Sequence, residues 1–232
     1  LEAMKRVHDG DIGEILSVVV YWDGSLPFVH ERQPGWSDVE YRVRNWYAYC
    51  WVAGDNIVEQ HVHNIDIGCW AMKGHPAVVR ASGGRIWKPN TEKYGDIYDH
   101  YSCDFEYPNG VHMHSYCRHW DGCPGRVTEE IIGTKGRIQL ANNRKEEVDP
   151  YVQEHIDLVN SIRKTGPYFH EGMQVAESTM TAIMGRMAAH TGADLTWEEA
   201  LKGESIVPSP LNFEVACPVG PIPCPVDPKR IR

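Results

Sequence analysis

The chain has 232 residues, 42% hydrophobic and 24% charged, enough to bury a core as one large domain or a domain with an arm. A formal charge of -9 with scattered Lys and Arg offers no basic field for a phosphate backbone, which excludes nucleic acid as an expected partner. No run approaches the roughly 20 apolar residues of a membrane span, and 7 cysteines without paired C-x-x-C motifs read as reduced thiols rather than a disulfide framework.

Residues 1–8 are short and amphipathic, and Gly10 and Gly13 lead out of them into a strand over 14–23. Residues 24–44 carry Pro27 and Pro34 among charged and aromatic groups without periodicity, which suggests an ordered loop. Over 55–73, Val58, Val62, Ile65, Cys69 and Met72 recur at helical spacing, which predicts one helix stopped by Gly74 and Pro76; a strand follows over 77–87.

Segments 96–107 and 111–120 flank Pro108-Asn109-Gly110, a turn that closes a hairpin. Its register pairs Phe105 with Met113, Tyr101 with Cys117, His100 with Arg118 and Asp99 with His119. Ile97, Tyr101, Cys103, Phe105, Val111, Met113 and Cys117 then share a core face, while Tyr98, His100, Asp104, His112, His114, Tyr116 and Arg118 share a polar, aromatic one. Strands over 126–132 and 137–140 come next, then helices over 151–164 and 172–190. Thr196 with Glu199 forms a capping box for a short last helix, and the prolines after Ser205 favour an extended arm. The whole reads as an α+β fold: an open, mostly antiparallel β-sheet with helices packed on one face, plus a proline-rich C-terminal arm.

On a continuous helix Glu59, His63, Asp66 and Trp70 would fall on one face, where a carboxylate can orient a histidine for proton transfer; a solvated polar face would show the same spacing. His61-x-His63 and His112-x-His114 are poorly spaced for a metal and no H-E-x-x-H is present, so no metal is expected. Tyr98-Asp99-His100 opposite Arg118-His119-Trp120, together with Arg44-Asn45-Trp46-Tyr47, offers hydroxyl, carboxylate, imidazole and guanidinium groups suited to a polyhydroxylated ligand; a surface ladder of polar pairs would look alike. There is no strand followed by G-x-G-x-x-G, no P-loop and no G-x-S-x-G elbow, so no cofactor site is expected in this chain by itself.

Arg44-Asn45-Trp46, Gly54…Glu59-Gln60-x-x-His63-Asn64-Ile65-Asp66…Trp70, Gly83-Gly84-Arg85, Tyr98-Asp99-His100, Glu106-Tyr107-Pro108-Asn109-Gly110, Cys117-Arg118 and Gly133-Thr134-Lys135-Gly136, taken together, resemble the C-terminal domain of Gfo/Idh/MocA oxidoreductases. The resemblance runs over about residues 1–205 and is strongest over 44–136. It implies an enzyme that binds NAD or NADP in a separate N-terminal dinucleotide-binding domain and oxidises or reduces a sugar or polyol. Residues 1–13 would then end the linker from that domain, 14–204 form the substrate and oligomerisation domain, and 205–232 the arm. His63 maps onto the proton-transfer position and Asp66 onto its polar neighbour, with Glu59 standing where the family has aspartate. Arg44, Tyr98, Asp99, His100 and Arg118 are the expected substrate contacts. The family's Glu-Lys-Pro motif is absent, and Lys88-Pro89 is expected on the far side of the domain. Self-association through the sheet is expected. A lyase or hydratase acting on a keto-sugar, or a non-catalytic carbohydrate-binding domain, are the alternatives, and the start at Leu1 leaves the compartment open.

Overall fold

The computed structural model describes residues 2–141, 148–217 and 219–225. Helix α1 (Glu2–His8) buries Ala3, Met4 and Val7, and strand β1 (Ile15–Gly24) follows. The segment read as a loop contains a helix, α2 (Asp38–Arg44), opened by Ser37, whose side chain accepts the Glu40 N–H. Only a short helix fits before Asn45, whose buried amide holds the His30 N–H and the Lys93 carbonyl, so periodicity has too few turns to show itself.

Next come α3 (Cys50–Ala53), α4 (Asn56–Glu59) and α5 (Val62–Met72). The single helix expected over 55–73 is therefore interrupted. The Asn56 carbonyl accepts from both Gln60 N–H and His61 N–H, so the turn holds an extra residue in the manner of a π-bulge. The cause lies in the side chain of His61, which is buried with Nε2 2.8 Å from Ser115 Oγ and Nδ1 3.2 Å from Asn64 Oδ1. Satisfying that imidazole under the sheet outweighs the regular ladder.

Strands β2 (Val78–Gly84), β3 (His100–Glu106), β4 (His112–His119), β5 (Arg126–Gly133) and β6 (Gly136–Ala141) follow. Then come α6 (Pro150–Arg163), α7 (Gly172–Thr191), the two-residue β7 (Leu195–Thr196) and α8 (Trp197–Leu201), which opens on the expected Thr196/Glu199 capping box. The sheet order is β6-β5-β1-β4-β3-β2-β7, antiparallel throughout except for parallel β1 and β4. This is an open, mostly antiparallel α+β sheet.

The hairpin register is the expected one: Phe105 opposes Met113, Tyr101 opposes Cys117 and His100 opposes Arg118. Gly110, at φ +78°, closes the turn with its N–H on the Tyr107 carbonyl. Val18, Val20, Phe105, Met113 and Ile131 are fully buried against α5 and α7, where Ile65, Ala182 and Met184 meet them. Among the described residues no helix packs on the opposite face, which leaves His112 and His114 half-buried and Tyr116 exposed.

The fold corrects the sequence reading at Tyr98. Tyr98 is core, not open face: it precedes β3, stacks on Tyr101 at 5.3 Å and lies 4.6 Å from the His190 ring. Outside the ladder, strand alternation does not govern it. Helix α6 buries no residue and exposes Val152, Ile156, Val159 and Ile162. The arm runs back over the chain's own α2 and α7 end, with the Cys217 N–H on Asp38 and the Pro223 carbonyl on the Tyr98 hydroxyl. Residues 218 and 226–232 of the expected arm lie outside the described residues.

Candidate functional site

Because β1 and β4 are parallel, their C-terminal ends emerge at one end of the sheet, where β3 begins and β2 ends. The register there aligns Asp23 with Arg118, Arg118 with His100, and His100 with Gly84. On the open face Arg118 Nε lies 3.3 Å from Asp23, and its guanidinium sits 5.0 Å over the Trp120 ring, which the His100 ring meets edge-on at 6.2 Å. His100 Nδ1 is 2.8 Å from Asp99, which also accepts the Ile86 N–H at 2.6 Å and the Trp87 N–H at 3.0 Å. Burial opposes the charge on Asp99, but His100, these two N–H groups and nearby Lys88 together outweigh it and hold the carboxyl down at about 2.

On the helix side the same end contains His119, fully buried, with Nε2 2.9 Å from Gln60 Oε1 and 3.3 Å from the Tyr47 hydroxyl. Burial, aided by the positive charge of Lys88, lowers its pKa to about 3 and keeps the ring neutral. An amide oxygen only accepts, so Nε2 carries the proton and Nδ1 is left as an acceptor. That Nδ1 and Glu59 Oε2 are both buried with no partner among the described residues. The Tyr47 phenol is held protonated by burial and by Glu59 beside it. Glu59 thus offers a buried acceptor beside a neutral phenol, an arrangement that can take a proton from a hydroxyl held there.

The sequence candidates divide. Asp99, His100 and Arg118 are brought together at the sheet end, and Glu59 approaches it through Tyr47 and the Gln60–His119 contact. His63 is exposed, its ring 5.9 Å from that of Trp22 near the end of β1. Three candidates are engaged elsewhere: Asp66 accepts the Ser178 hydroxyl of α7 at 2.5 Å, Arg44 pairs with Glu40 and covers Trp36, and Tyr98 donates to Pro223. The bulge interrupts the helical phase between α4 and α5, and Glu59 and Asp66 meet different partners, Tyr47 and Ser178.

Gln60 and Lys88 were not expected at a site, and Tyr47 and His119 only as members of wider polar groups. Lys88 is not remote: it is buried, its ammonium donates to the Tyr98 carbonyl at 2.7 Å, and Asp55 and Asp99 are its nearby carboxylates. Burial lowers its pKa to about 8 against the attraction of those carboxylates. A run of unusual density, Trp87-Lys88-Pro89 beside Asp96 and Asp99, was the available signal.

Cys50, Asp55 and His190 place ligand atoms within 4.8 Å of one another. Asp55 already accepts from Asn56 N–H, Tyr98 N–H and the Tyr101 hydroxyl, which also lies 3.0 Å from His190 Nε2, while Arg186 lies 3.9 Å from Cys50 Sγ. A carboxylate already holding three hydrogen bonds and an adjacent guanidinium make this a structural network, unsuited to a cation.

The fold is thus an open sheet with helices on one face and a polar, aromatic cluster at the sheet end. The chain belongs to the GFO/IDH/MocA C-terminal domain family, whose profile matches residues 1–139. No curated protein matches it. Among solved structures it resembles a scyllo-inositol dehydrogenase from Lactobacillus casei, solved with NAD(H) and scyllo-inositol, at a TM-score of 0.64 and 16% identity over 85% of this chain and 61% of that one. It is also similar to a myo-inositol dehydrogenase from Corynebacterium glutamicum, with a TM-score of 0.61 and 16% identity over 84% of this chain and 60% of that one. At such identity the likeness carries the fold. The chain spans about 60% of the length of these structures.

Proposed function

We propose that this chain is the substrate-binding half of an NAD(P)-dependent oxidoreductase acting on a hydroxyl or ketone of a sugar or polyol. The observation that carries the reading is the sheet-end cluster, where a buried unpartnered acceptor on Glu59 lies beside Tyr47, and Arg118, His100 and Asp99 lie on the adjoining face. Nicotinamide, bound in a domain beyond this chain, would accept or return the hydride. This chain's residues would bind and orient the polyol through Arg118 and His100, while His63 and Glu59 take the hydroxyl proton. Asp66, bonded to Ser178, would fix the angle of α5.

The exposed apolar face of α6 supports a role within a longer polypeptide or assembly, since contiguous patches of this kind seldom face water. The helix-free sheet face with Tyr21 stacked on Tyr116 at 5.3 Å supports self-association there. The test is to mix the full-length protein with NAD or NADP and a panel of inositols and glycosides, and to follow reduced nicotinamide by absorbance. Reduction by at least one polyol is expected. Conversion of a keto-sugar with no change in nicotinamide would instead favour acid/base elimination or hydration.

A further inference from the structure

The proline-rich arm closes over a cavity of about 470 Å³ whose inner wall comes from α2, α3 and α7. Arg42 and Arg186 project from that wall, only 4% and 7% exposed. Arg42 donates to the Cys217 carbonyl and lies 3.1 Å from its Sγ, with its guanidinium 5.1 Å over the Tyr49 ring. Arg186 donates to the Gly54 carbonyl at 3.3 Å and lies 3.9 Å from Cys50 Sγ. Both guanidiniums are thus bonded to neutral acceptors, and among the described residues neither forms an ion pair.

Buried charges ordinarily find a counter-charge; here Asp38 and Asp96 attract Arg42 without an ion-pair contact, and among the described residues no carboxylate pairs with Arg186. Asp96 accepts the Cys50 N–H at 2.8 Å, and burial raises its pKa against that bond and the attraction of Arg42 and Arg85. His190 is held neutral by burial and by Arg186, with a pKa of about 4. The arm adds Ile206, Pro208, Pro210 and Pro223 to the lining. The lining therefore combines two guanidinium forks and one buried carboxylate with apolar arm residues.

We propose that this cavity binds a small organic carboxylate with an apolar body, its carboxylate gripped by Arg42 and Arg186 and its body covered by the arm. Guanidinium forks match carboxylate geometry, and the volume falls in the range of small-ligand sites. The arm is fastened at both sides of the cavity, by the Cys217 N–H on Asp38 at 2.7 Å and by Tyr98 on the Pro223 carbonyl at 2.6 Å. The site is separate from the sheet-end cluster and does not depend on the redox reading.

The test is a thermal-unfolding titration of the protein with acetate, hexanoate, benzoate, inorganic phosphate and chloride at constant ionic strength. Saturable stabilisation by hexanoate or benzoate is expected, exceeding that by acetate and phosphate and absent with chloride. Arg42→Met and Arg186→Met should each weaken that binding roughly tenfold or more, since each removes charge-assisted hydrogen bonds. The lysine variants at the same positions keep the charge, lose the fork and should fall between, which decides the matter if a methionine variant does not fold. No stabilisation beyond chloride would overturn the proposal. So would phosphate matching hexanoate, or equal stabilisation of wild type and variants.

Discussion

His119 Nε2 lies 2.9 Å from Gln60 Oε1, and this contact ties the end of β4 to the widened turn between α4 and α5. The bulge that breaks the helix brings Gln60 to the buried imidazole, and Tyr47 closes the group from the loop side. Backbone irregularity and buried polar chemistry thus coincide at one point, as they commonly do where a fold builds a site.

Replacing His119 by Leu should destabilise the protein by about 1–3 kcal/mol, because half-buried Gln60 Oε1 would lose its donor and the buried Tyr47 hydroxyl one of its contacts. Urea unfolding reads this as a lower midpoint at unchanged slope. Tyr47→Phe, which removes one end of the longer 3.3 Å contact, should cost less.

Acid should unfold the protein earlier than its carboxylates alone would dictate. Burial lowers His61 to about 4, His119 to about 3 and His190 to about 4, from an ordinary 6.5. Between those values and 6.5 the unfolded chain binds protons that the folded chain refuses, so stability is complete above 6.5 and is lost as pH falls toward 4. Each ring contributes up to a few kcal/mol. Thermal midpoints measured across this interval should drop steeply, and His61→Gln should flatten the slope even though it lowers the plateau.

Gly95→Ala should be among the most damaging small substitutions. Gly95 has φ +52°, and an added Cβ would lie 1.9 Å from the Ala48 carbonyl oxygen. The neighbouring Asp96 accepts the Cys50 N–H, so any shift also disturbs the start of α3. A loss of about 3 kcal/mol or more is expected from the clash and the left-handed backbone together, read by thermal unfolding.

Much of the sheet was legible because strand alternation and a Pro-Asn-Gly turn act locally: Phe105–Met113 and His100–Arg118 follow from counting outward from Gly110. The parallel pairing of β1 with β4 was not, since strands separated by about ninety residues carry no local sign of pairing. Nor could the spacing Glu59, His63, Asp66 reveal that His61 would turn inward to Ser115 and break the helical phase. Arg118, Asp99 and His100 were found because one register places them together. Lys88 and His119 needed the closed end of the sheet, where burial rather than sequence neighbours sets their protonation.

His63 and Asp66 should separate cleanly in kinetics and stability. His63 is exposed and its ring contact is with Trp22, so His63→Asn removes no buried bond and should change unfolding free energy by no more than about 0.5 kcal/mol. If it moves the substrate proton, kcat/KM of the full-length enzyme should fall roughly 10²- to 10⁴-fold with little change in KM. Asp66 takes the Ser178 hydroxyl at 2.5 Å and joins α5 to α7, so Asp66→Ala should cost about 1–3 kcal/mol by orphaning that hydroxyl. Ser178→Ala should reproduce part of the same loss, and the double variant should lose less than the sum of the two, because both substitutions break one bond. Turnover in the folded fraction of either should remain within about tenfold of wild type, since their effect reaches the sheet end only through the tilt of α5. Measuring urea midpoints and steady-state kinetics on these variants side by side checks the division, and a His63→Asn enzyme with unaltered kcat/KM would remove His63 from the proton path.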